Sequence, residues 1–226
     1  MPFFDAPDTP PIPEPDPNEP YVPPLWTGPS ELVLGGVVPL QVLVARTDQV
    51  AVIAEYFVAY PSGVTFSLTI RSRDVVPPEM RFGGPGLEMV RLGVQFADGR
   101  KAATVGAEAG FGCPKDDRGV PTVPVLLAKG GSGRDRSWEL EHWLWPLPPP
   151  GPLVLVVEWP TLGIAETRHQ VDAALIRQAA ERTVTLWDSA HAHPRPTAAG
   201  ARSTLLTMSG AVAKPERDPD SSETET

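Results

Sequence analysis

Between Ser137 and Trp145 the chain reads SWELEHWLW, and an extended strand sorts these residues onto two faces. One face carries Trp138, Leu140, His142 and Leu144; the other carries Glu139, Glu141, Trp143 and Trp145. Carboxylates beside indoles are the equipment of carbohydrate-binding sheets. Flat rings stack on the C–H faces of a sugar while the carboxylates accept from its hydroxyls. Trp143, Trp145, Glu139 and Glu141 are therefore the candidate ligand-binding residues. Against this stands the need of a small β domain for large side chains that close its ends. That need outweighs the sugar reading, so both rings are expected to pack beneath a C-terminal helix or the N-terminal segment.

Other residue types with chemical potential lead to less. Glu139 and Glu141 lie i, i+2 on one strand face, roughly 6.5–7 Å apart, a spacing that overlaps inverting glycosidases. Working acid and base pairs, however, usually face each other across a cleft, and solvated strand acids are the expectation. His191 and His193 supply half of a metal site, with His142, His169 or Cys113 the only further soft ligands. No metal is expected. Cys113 has only Lys115 nearby as a cation, so it reads as a packed thiol and not a nucleophile. The Gly-rich runs Arg81–Gly86 and Gly130–Gly133 lack the Lys-Ser/Thr of a phosphate loop and read as flexible connections, the second a possible binding loop. Ser62 and Ser132 have no nucleophile elbow around them. No catalytic residue and no cofactor is assigned.

Composition narrows the partners. The formal charge is −9, but residues 1 to 30 hold five acids and no base. Residues 31 to 187 hold seventeen acids and fifteen bases, a nearly balanced body. Such a body lacks the clustered cations that a phosphate backbone requires, so nucleic acid is not an expected partner. No apolar run reaches the roughly 18 residues of a membrane span, and the N-terminus lacks the basic and apolar regions of a secretory signal. A single cysteine excludes an intrachain disulfide. A cytoplasmic location follows as the expectation.

The elements that position these residues are mostly strands. Val64, Phe66, Leu68 and Ile70 alternate with polar residues, as do Val90, Leu92, Val94 and Phe96. Leu153, Leu155, Val157 and Trp159 form a third set, with Trp159 placed inward. Runs near 39–46 and 49–60 read as further strands, Pro39 standing at a strand start or edge. Tyr60-Pro61-Ser62-Gly63 and Asp98-Gly99 are hairpin turns. Asp172 caps a helix over about 173–187 whose stripe is Ala173, Ile176, Ala180, Val184 and Trp187. Eleven of the 29 prolines fall in residues 1 to 30, and the end is rich in Ala, Ser, Thr, Pro and charge. Such segments bury too little apolar surface to offset ordering entropy. The reading is an all-β, antiparallel β-sandwich of jelly-roll or Ig-like type over 25–187, with one packing helix and disordered tails at 1–24 and 188–226.

The segments GVTFSLTIRSR, SWELEHWLWPLPPPGPL and EWPTLGI resemble those of uncharacterised β-rich proteins of GC-rich actinobacteria, over roughly residues 20 to 187. The resemblance implies no activity and no functional residue. The sequence thus points to a non-enzymatic binding or structural module with a protein partner on a sheet face or edge. A carbohydrate-binding module and a hydrolase with an unrecognised site are the alternatives.

Overall fold

The computed structural model describes residues 23–75, 89–106 and 109–187. The tails expected at 1–24 and 188–226 fall outside these residues, apart from positions 23 and 24. The His191 and His193 pair and the Arg81–Gly86 run fall outside them as well.

Two antiparallel sheets carry the fold. In the larger, β4 (Val50–Tyr60) pairs with β5 (Gly63–Ser72), β5 with β9 (Ser137–Trp145), and β9 with the edge strand β8 (Val125–Arg134). The other side of β4 is shared by β2 (Gly36–Val37) and β3 (Val42–Arg46). The smaller sheet runs β11 (Ile164–Asp172), β10 (Pro152–Trp159), β6 (Arg91–Gln95), β7 (Lys101–Ala103). A short ladder joins β1 (Val33–Leu34) to β12 (Val184–Thr185). Pro61 and Ser62 close the β4–β5 hairpin, with Tyr60 opposite Gly63. Pro39 lies ahead of β3, where its missing donor costs no ladder bond.

Alternation explains the core. Leu92, Val94, Leu153, Leu155, Val157 and Trp159 of the smaller sheet are buried against Val52, Phe66, Leu68, Ile70, Trp138 and Leu144 of the larger. Trp138 and Trp159 meet edge to face, 6.0 Å between centroids, one from each sheet. Strand β5 departs from the expected single wet face. Ser67 and Thr69 are buried as well, because β5 is central and its outer face is overlain by its neighbours' side chains.

The glycine run at 130–133 is also not a loose connection. Gly130, Gly131, Ser132 and Gly133 stand in register with Glu141, Leu140, Glu139 and Trp138, extending β8. A Cβ on Gly133 would lie 2.2 Å from the Cβ of Trp138, so glycine is what permits this pairing.

One helix, α1 (Ala173–Ala180), follows β11, and the Asp172 carboxylate accepts from the Ala174 N–H at 2.9 Å. It buries Ala173, Ile176, Ala179 and Ala180. A Cβ on Gly36 would sit 1.9 Å from the Ala179 carbonyl oxygen, which sets how closely helix and β2 approach. The helix is shorter than expected. The β-branched run Thr183–Thr185 turns to pair with β1, leaving Val184 and Trp187 exposed instead of extending the stripe. No described helix is long and apolar enough to cross a membrane.

Candidate functional site

The outer face of the larger sheet divides into a covered apolar half and an open acidic half. In the covered half, Trp143 is fully buried among Trp26, Cys113, Val125 and Leu127, with Tyr60 and Trp145 against them. The Trp143 indole N–H donates to the Trp26 carbonyl at 3.2 Å. Tyr60 meets the Trp143 ring edge-on at 5.9 Å. The lid is pinned from two sides. Lys129 Nζ donates to the Thr27 carbonyl at 2.8 Å, and Lys115 Nζ lies 4.9 Å from the Trp26 ring centroid. Burial, and secondarily the Glu141 charge, raises the Tyr60 pKa.

This arrangement decides between the two readings of the pair, in favour of packing under the N-terminal segment. Trp143 presents no ring to solvent and Trp145 is half-buried, so the pair forms no exposed stacking platform. The cover over Trp143 comes from Trp26 and the loop carrying Cys113, not from the helix. Cys113 is a buried thiol within that cover.

The open half is built from two cross-strand rows. In one, Glu55 of β4 stands opposite Ser67, Ser67 opposite Glu141, and Glu141 opposite Gly130. In the next, Ile53, Thr69, Glu139 and Ser132 follow each other across the same four strands. Side chains directly opposite on neighbouring strands lie about 5 Å apart, so these groups form one continuous surface. Two bulges bracket the first row, one in β4 between Glu55 and Val58, one in β8 between Ala128 and Gly130. The first holds Tyr56 at φ 57°, a left-handed conformation unusual for a bulky residue, and leaves its side chain exposed.

Within this surface Glu55 is almost fully buried and accepts from Gln41 Nε2. Glu139 accepts from Ser67 Oγ at 2.6 Å. Thr69 is buried, and its hydroxyl has no hydrogen-bond partner among the described residues. A groove of about 150 Å³ opens between Glu55, Tyr56, Thr69, Arg71, Ser132 and Glu139.

Of the four residues singled out from sequence, Glu139 and Glu141 thus belong to the open half and Trp143 and Trp145 to the covered one. Glu55, Tyr56 and Thr69 carried no sequence signal of their own. Glu55 interrupts an apolar run, and only the register of β4 with β5 brings it beside the acids of β9. His142 lies on the opposite face from Glu139 and Glu141, stacked on Phe66 at 5.5 Å within the core. Burial lowers its pKa to about 4, against a smaller opposing effect of a backbone hydrogen bond at Leu140. His169 is on the far sheet, opposite Leu155. No group of three or more His, Cys, Asp or Glu among the described residues is arranged to hold a metal.

No protein-family model, curated protein or solved structure matches this chain.

Proposed function

We propose that this chain is a non-enzymatic binding module that takes a protein partner along the β8 edge and the acidic outer face beside it. The observation that carries the reading is the state of β8 from Ala128 to Arg134. All seven residues are exposed, the strand forms the sheet edge, and three of them are glycines without side chains to shield the backbone. An unpaired edge offers main-chain donors and acceptors to an incoming strand, the mode of recognition called β-augmentation. Lys129 and the bulge beside it guard one end against indiscriminate pairing, which is how natural edges keep their selectivity. The sugar-binding alternative ranks lower because Trp143 is enclosed.

A photo-crosslinking residue placed at Ser132 tests the reading, with the same residue at Glu166 on β11 as the comparison. The expected result is one dominant adduct from Ser132 in extracts of the source cell, competed by unlabelled protein. Adducts from Glu166 and none from Ser132 would move the interface to the other sheet and overturn the proposal.

A further inference from the structure

We infer that the groove between Glu55, Thr69 and Glu139 receives the cationic head of an arginine or lysine side chain carried by that partner. The inference rests on the proposed β8 docking and adds the chemistry of what is recognised. Three observations lead to it. Glu55 is 5% exposed and has one amide donor, while Glu139 has one hydroxyl donor; no ion pair to either is present among the described residues. Burying a carboxylate is costly unless donors or a cation replace its lost water. Second, the Thr69 hydroxyl is buried, lacks any partner and lines the same groove, so an acceptor stands there without a donor. Third, the exposed Tyr56 is among the residues that line the groove, and an aromatic residue beside carboxylates suits a guanidinium or ammonium group.

Size and position select the source of that cation. At about 150 Å³ the groove falls below the roughly 300–1,000 Å³ of ordinary small-molecule sites. It fits one head group, not a whole ligand. Ser132 on the edge strand also lines the groove, and a partner that pairs along β8 and reaches over β9 presents a side chain to it. Arg71 also lines the groove, but it is exposed and pairs with neither carboxylate.

The test is an NMR titration of the full chain with a short Ser/Thr peptide carrying one central arginine. The same peptide with citrulline, and free arginine amide, are the comparisons. The arginine peptide should saturate, with shifts centred on residues 55, 69, 132 and 139, and citrulline should weaken it about tenfold or more. Glu139→Gln and Thr69→Val should each weaken binding by roughly fivefold. Thr69→Val removes an unsatisfied hydroxyl, so its unfolding midpoint should hold or rise, which separates lost binding from lost fold. Arg71→Gln should leave binding intact or tighten it. Equal binding of the citrulline peptide, absence of saturable shifts at these residues, or loss of binding in Arg71→Gln would each overturn the inference. Arginine amide binding as tightly as the peptide would overturn the polypeptide source and the β8 reading together. Edge crosslinking at Ser132 that is indifferent to Glu139→Gln would leave β8 docking standing and remove the cation site alone.

Discussion

Trp143 on β9 hydrogen-bonds through its indole N–H to the main-chain carbonyl of Trp26, 117 positions earlier in the chain. That contact, with those of Lys129 and Lys115, closes the apolar half of the outer sheet face. Trp26 rests on the apolar half, and Thr27 is held there by Lys129.

Replacing Trp26 with alanine should therefore uncover Trp143. The expected loss is about 3 kcal/mol in denaturant unfolding, the usual scale for truncating a buried aromatic. Trp143 fluorescence should become readily quenched by acrylamide. Because the two rings share one cluster, the Trp26→Ala, Trp143→Ala double variant should lose less than the sum of the singles, by at least about 0.5 kcal/mol. Strict additivity would show that the Trp26 segment does not rest on Trp143.

Trp159 tests the join between the sheets. It is 1% exposed and stands edge-on to Trp138 of the opposite sheet. Trp159→Ala should cost about 3–5 kcal/mol, a large part of the ~5–15 kcal/mol of a typical domain. A double-mutant cycle with Trp138→Ala should give a coupling of about 0.5–1.5 kcal/mol for the edge-to-face pair. A single-variant loss below about 1 kcal/mol would mean the sheets do not close over Trp159.

His142 makes stability depend on pH with a definite sign. Its folded pKa is lowered from 6.5 to about 4, so the unfolded chain takes up a proton first as pH falls. The stabilisation is complete above about pH 6.5 and is lost progressively down to about pH 4. The loss approaches about 3 kcal/mol, at most about 1.4 kcal/mol per pH unit. His142→Phe keeps a ring against Phe66 and removes the proton. Its unfolding free energy should fall less steeply than the wild type between pH 6.5 and 4. Parallel curves would show that His142 titrates alike in both states.

Much of the architecture was legible locally. Alternation in 64–70, 90–96 and 153–159 marked β5, β6 and β10, and each buries the face its apolar residues predicted. Asp172 marked the helix start and Pro61-Ser62 the hairpin. These signals are short-range: one residue's neighbours two to four positions away suffice to create them.

What lay beyond local reach was the second face of each strand. Period-two alternation says that one side is buried, but not which strand lies alongside or what covers the other side. Ser67 and Thr69 read as wet and are buried, because β9 brings Glu139 and Glu141 across them. Strand β11 has polar residues on both faces, most of them not buried, so no pattern announced it. Glycines 130, 131 and 133 carry the local signature of a loop, yet all three pair with β9, Gly131 close against the Glu139 carbonyl and Gly133 close against the Trp138 backbone. The sequence alone determined which stretches could be strands and that their apolar sides would meet in one core. Only the tertiary structure decided the register that sets Glu55 beside Thr69 and Glu139, and the contact that lays Trp26 over Trp143. Both are pairings between distant segments, fixed by the packing of surfaces that no residue's immediate neighbours encode.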